Sequence, residues 1–169
     1  GNHEKSINLI QSLIDMYPSN PYYHEFLGEI YYFQGDHTKA IKKQKTAMSI
    51  LSKDSDLHLM MLGTYLLAES SNKSIIESIK VLNKSLFLNK YNSYSWYLLA
   101  KAYALSDNLP LAQYASAERY YLNGDRPLAL EFAKKAIKNI DKNTVEWYRT
   151  NDLIELILGI DEKDNKNRS

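Results

Sequence analysis

Residues 20–54 read NPYYHEFLGEIYYFQGDHTKAIKKQKTAMSILSKD, and they spell a helix, a tight turn and a second helix. Asn20 offers a side-chain oxygen to the first free amides, and Pro21 suits the first helical position because its missing N–H would have had no partner there. Gly35 can take the left-handed conformation that ends the first helix, and Asp36 caps the second. Two helices of this length cannot bury their apolar faces alone, so the unit requires stacked neighbours.

Those neighbours are written along the chain. Leu59, Leu62, Gly63 and Leu66 repeat the phase of His24, Leu27, Gly28 and Tyr31, and Trp96, Leu99, Ala100 and Tyr103 repeat it again. Ahead of the unit, Ile7, Ile10, Ile14 and Tyr17 mark one face of a helix over residues 3–16 that Tyr17-Pro18 halts. It reads as the second helix of a repeat whose first helix precedes Gly1. The second unit needs three extra residues near 70–74, and the polar run SSNKS is expected to hold them in an exposed loop. Gly124-Asp125 is a further turn signal, and counting back from it starts a unit at Pro110 that contains Ala117, Tyr120, Ala129, Ala133 and Ala136. Pro110 lies only 17 positions after Ser93 (110 minus 93). The helix over 110–122 must therefore close one pair and open the next. A last helix over 144–158, carrying Val145, Tyr148, Ile154 and Ile157, would cover the open end of the stack, and DEKDNKNRS at 161–169 reads as a disordered tail.

Composition limits what such a stack can do. The chain has 169 residues, 44% hydrophobic and 24% charged, with 21 Lys and Arg against 20 Asp and Glu, so nothing in its bulk charge points to nucleic acid or an anionic membrane. No apolar run approaches the roughly 20 residues that span a bilayer. With no cysteine, disulfides and thiolate zinc sites are ruled out. The four histidines, at 3, 24, 37 and 58, include two His-Glu pairs, but neither has a second histidine four residues on, so a helical zinc pair cannot form locally. His24 holds the position of Trp96 and reads as a partly buried structural residue rather than a ligand. There is no GxSxG and no phosphate-binding GxxxxGK[ST], and the expectation is a non-enzymatic region with no cofactor or metal of its own.

Leu27, Gly28, Tyr31, Ala40 and Ala47 fall where a tetratricopeptide repeat of about 34 residues places its large and small packing residues. The pattern resembles that family. The resemblance implies an all-α, right-handed solenoid of about nine antiparallel helices, organised as a half repeat (1–19), repeats at 21–54 and 56–92, a repeat at 93–109 merging into 110–143, and a capping helix, together one domain over 1–160. It also implies that positions 2, 5, 9 and 12 of each repeat line a concave wall. Here those positions are Tyr22, Glu25, Glu29 and Tyr32; Leu57, Met60, Thr64 and Leu67; Tyr94, Tyr97, Lys101 and Ala104; and Leu111, Tyr114, Glu118 and Tyr121. Six of these sixteen are tyrosine, which buries a large ring at small entropic cost and keeps a hydroxyl for hydrogen bonding. Such a wall suits an extended peptide or a partner helix. Tyr94, Tyr97, Tyr114 and Tyr121 are the expected apolar anchors, and Glu25, Glu29 and Glu118 are expected to select against acidic partners. Glu25 and Glu29 stand where chaperone-binding members carry Lys and Asn, against a carboxylate clamp, and with only Lys101 basic the wall disfavours nucleic acid.

Two stretches carry a narrower resemblance. NPYYHEFLGEIYYFQGD at 20–36, and ASAERYYLNGDRPLALEFAKKAIKNIDKNTVEWYRTNDL at 115–153 with its terminal Glu146, Trp147, Arg149 and Asp152, resemble in the same order the C-terminal repeat region of bacterial zinc metallopeptidases of the BepA type. That implies a periplasmic protein whose HExxH zinc site lies upstream of Gly1, acting in outer-membrane protein quality control, with this region engaging the assembly machinery, its substrates or its own protease domain. The alternative is a stand-alone adaptor in envelope or pilus assembly.

Overall fold

The computed structural model describes residues 3–166. Its helices are α1 (His3–Met16), α2 (Pro21–Phe33), α3 (His37–Ile50), α4 (Asp56–Glu69), α5 (Asn72–Leu88), α6 (Ser93–Leu105), α7 (Leu109–Leu122), α8 (Arg126–Ala136) and α9 (Val145–Lys166), with no strand among the described residues. The chain divides into two compact units, Gly1–Leu88 and Asn89–Ser169, where the sequence reading drew a single domain over 1–160.

One turn is built three times. After α2, the amide of Gly35 donates to Tyr32 O at 3.0 Å and that of Asp36 to Tyr31 O at 2.9 Å; Gly35 has φ +80°. After α7 the same pair runs from Gly124 to Tyr121 O and from Asp125 to Tyr120 O, and after α6 from Asp107 to Ala104 O and from Asn108 to Tyr103 O. These bonds satisfy carbonyls that the helix ends would leave unpaired. The next residue then caps the following helix: Asp36, Asn108 and Asp125 accept from the amides of Lys39, Leu111 and Leu128. Helices joined by so short a turn and packed side by side run in opposite directions. Asp107 takes the left-handed conformation at φ +58° without being glycine, which hid this turn from the sequence reading.

Of the loop expected at 70–74, only Ser70 and Ser71 lie outside a helix, and both are exposed. Ser70 alone turns the chain, at φ +58°, and the hydroxyl of Ser71 accepts from the amide of Ser74 at 3.2 Å. Glu69 in turn accepts from both the amide and the hydroxyl of Ser71. The extra residues lengthen α5 to 17 residues, and Ser74 is buried on it.

In the first unit, Ile10 and Ile14 of α1 pack with Leu27 of α2. A Cβ on Gly28 would lie 3.3 Å from Ala40 O, and one on Gly63 would meet Leu82 at 2.7 Å, so α2 approaches α3, and α4 approaches α5, where a side chain is missing. In the second unit α7 packs against α6, α8 and α9, as the 17-residue spacing requires. Ala117, Ala129, Ala133, Leu153 and Ile157 form the core there. The face α9 buries is Thr150, Leu153 and Ile157, while Val145 and Tyr148 are exposed. The helix continues to Lys166, past the expected end at 158 and into the stretch read as a tail; residues 167–169 lie outside the described residues. His24 and Trp96 are buried as one repeated device: the Nε2–H of His24 donates to Pro18 O at 3.1 Å, and the indole N–H of Trp96 to Lys90 O at 2.8 Å, each reaching six residues back.

Gly63→Ala should destabilise the chain by about 1 to 3 kcal/mol in urea unfolding, because Leu82 is fully buried and has no room to retreat. Gly159→Ala, with nothing within 4 Å, should be neutral or mildly stabilising. Equal effects would contradict the close approach of α4 and α5.

Candidate functional site

The first unit holds a pocket of about 350 Å³ lined by Tyr22, Glu25, Phe26 and Glu29 of α2, Gln44 of α3, and Leu57, His58, Met61 and Tyr65 of α4. The α2 residues recur at three- and four-residue intervals, which puts them on one face. Tyr22, Phe26 and Leu57 are exposed at its rim, whereas Tyr65 and Gln44 are buried, each 1% exposed. Tyr65 stacks on Tyr32 with ring centroids 4.9 Å apart, so Tyr32 buttresses the pocket without lining it. Gln44 Nε2 donates to His58 O at 3.3 Å. The side chains of Glu25 and His58 meet as an ion pair when His58 is protonated. Glu29 makes no hydrogen bond or ion pair among the described residues. Burial, and then the nearby Glu29, push the Tyr65 hydroxyl well above the usual phenol range.

Of the residues expected on this wall, Tyr22, Glu25, Glu29 and Leu57 come together and Met60 does not. The face α4 turns to the pocket is Leu57, His58, Met61 and Tyr65, one residue round from Met60 and Thr64. Leu67 is buried. His58 and Met61 were missed because the rotation of α4 follows from seating Tyr65 beneath Tyr32, a contact between helices that spacing within α4 does not encode.

In the second unit the expected residues separate. Tyr94 and Tyr97 of α6 are exposed and stacked at 5.7 Å, with the Arg119 guanidinium 4.8 Å from the Tyr97 ring centre. Lys101 is exposed beside them. Tyr114 is not a surface anchor: it is 2% exposed, edge-on to Trp96 at 5.5 Å, with the Arg149 guanidinium near its hydroxyl. Packing against Trp96 places the ring in the core. Tyr121 packs against the α7–α9 core. Glu118, one turn beyond Tyr114, has its carboxyl pushed up to about 7 by burial, against the opposing pull of Arg149 and Lys90. No group of three His, Cys, Asp or Glu side chains could hold a metal among the described residues, and none of the described helices is long and apolar enough to cross a membrane.

No family model matches the chain. It is 26% identical over 161 residues, 95% of its length, to the beta-barrel assembly-enhancing proteases of Escherichia coli (strain K12) and Shigella flexneri, and it spans 32% of the length of these curated relatives. Among solved structures, the crystal structure of MamA superposes with a TM-score of 0.66 at 17% identity, covering 98% of this chain and 92% of that one. TTC0263, a thermophilic TPR protein of Thermus thermophilus, superposes at 0.52 with 17% identity and 91% of each chain covered. The fold is that of a tetratricopeptide-repeat (TPR) protein. In TPR terms the three repeated turns join the helices of pairs, and α7 belongs to two pairs at once.

The raised Glu118 carboxyl fixes a pH dependence. Since the folded chain favours the protonated form, the contribution is fully present below the ordinary value of 4.5 and is lost as pH rises through about 7. Glu118→Gln should therefore raise stability at pH 8 by about 1 to 3 kcal/mol and leave it nearly unchanged at pH 4, read by urea unfolding at both. The same change at both pH values would contradict the assignment.

Proposed function

We propose that this chain is a protein-interaction module that takes an extended protein segment against the α2–α4 wall. The observation that carries the reading is the pocket itself: exposed Tyr22, Phe26 and Leu57 surround a recess whose floor, Tyr65 and Gln44, is buried. Large, partly exposed aromatic and aliphatic side chains around a preformed recess supply binding energy with little ordering cost. The stacked Tyr94 and Tyr97 offer a second exposed aromatic surface of the same kind in the other unit.

The similarity to beta-barrel assembly-enhancing proteases over 95% of the chain supports a finer reading, in which this is the recognition region of a periplasmic zinc protease of outer-membrane quality control. In that reading zinc belongs to a catalytic region upstream of Gly1. The described residues offer no metal cluster, and no chemical step is assigned to them. The alternative reading is a stand-alone adaptor of the same TPR-like fold.

The binding reading is tested with Phe26→Ala combined with Leu57→Ala. Both side chains are about half exposed, and their loss should leave the urea midpoint almost unchanged while weakening capture of an unfolded outer-membrane β-barrel protein by about tenfold or more in a pull-down. Undiminished capture would overturn it. Zinc content of the full-length protein separates protease from adaptor.

A further inference from the structure

We infer that the α2–α4 pocket receives a lysine or arginine side chain presented by an extended protein segment. This deepens the proposed binding role and rests on it. The pocket's charged lining is Glu25, Glu29 and His58. His58 already faces Glu25, and Glu29 is left without a counter-ion among the described residues. Below them the hydroxyl of Tyr65, a side chain 1% exposed, makes no hydrogen bond among the described residues. The walls around these polar atoms are apolar: Phe26, Leu57 and Met61.

Occupants differ sharply in what they would do to Glu29. An apolar side chain filling the recess would strip water from the carboxylate and give nothing in return, which is costly for a charged group. An acidic side chain would add repulsion. A lysine or arginine lays its methylene stem along Phe26, Leu57 and Met61 and brings its cationic head to Glu29 and the Tyr65 hydroxyl, so the stem and head each find matching surroundings. The recess, about 350 Å³, is large enough for one long side chain, and Tyr22, Phe26 and Leu57 of its lining are exposed to a segment that would carry it.

The test uses four fluorescein-labelled decapeptides of Ala, Ser and Val, identical except for a central Lys, Arg, Met or Glu, titrated with the 169-residue chain by fluorescence anisotropy. The Lys and Arg peptides should bind about tenfold more tightly than the Met peptide, with the Glu peptide weakest. Glu29→Gln should bring Lys to within about twofold of Met, its fold checked by the urea midpoint. If Lys and Met bind wild type equally and Phe26→Ala with Leu57→Ala weakens both, the basic-residue inference falls while segment binding stands. If no peptide binds, or the double substitution changes none of them, both fall. Displacement of the Lys peptide by free spermidine at concentrations near the peptide's own Kd would make this a small-polyamine site and overturn the inference.

Discussion

Close approach of neighbouring helices is the constraint on which the rest of the structure depends. α2 meets α3 at Gly28 and Ala40, α4 meets α5 at Gly63 beneath Leu82, and α7 meets α8 through Ala117, Ala129 and Ala133, all fully buried. Small residues bring the backbones together at these points. The pocket forms on another face, where side chains of α2 and α4 meet beside Gln44 of α3. Caps and turns serve the same end: the three repeated turns reverse the chain within a few residues, which holds the paired helices in register without a loop that could drift.

The two units place a carboxylate in different surroundings. Glu118 sits near Arg149 and Lys90 and is nevertheless raised to about 7, because desolvation outweighs both cations. Glu29 lines an open recess and has solvent for a partner. The first arrangement belongs to the packing of α7 and α9, since Arg149 lies near both Glu118 and the Tyr114 hydroxyl. In the second, the carboxylate stands ready for something brought from outside, which is why the first unit and not the second supplies the candidate site.

Local chemistry made most of the fold legible in the sequence. Asn20, Pro21, Gly35 and Asp36 fix a helix start, stop and restart within 17 residues, and the same signs at Gly124-Asp125 forced the helix shared between two pairs before any contact was seen. Legibility failed where a side-chain cap or a contact between helices decides. Ser71 caps α5 with help from Glu69, converting a polar run that looks like a loop into helix. Tyr114 is core because Trp96, on the preceding helix, covers its ring, a contact between helices that spacing within α7 does not encode. On α2, Tyr22, Glu25 and Glu29 line the recess; on α4 the lining is Leu57, His58, Met61 and Tyr65 rather than Met60 and Thr64, and no periodicity within one helix reports that difference.

Chemical-shift mapping tests the central claim, binding of a protein segment in the α2–α4 recess, most directly. A uniformly ¹⁵N-labelled chain is titrated with the lysine-bearing decapeptide while backbone amides are followed by NMR. The account predicts saturable shifts centred on Tyr22, Phe26, Glu29, Leu57, His58 and Tyr65, with the buried amides around Gly63 and Ala133 unmoved. Shifts centred on any other surface, or none at saturating peptide, would contradict it.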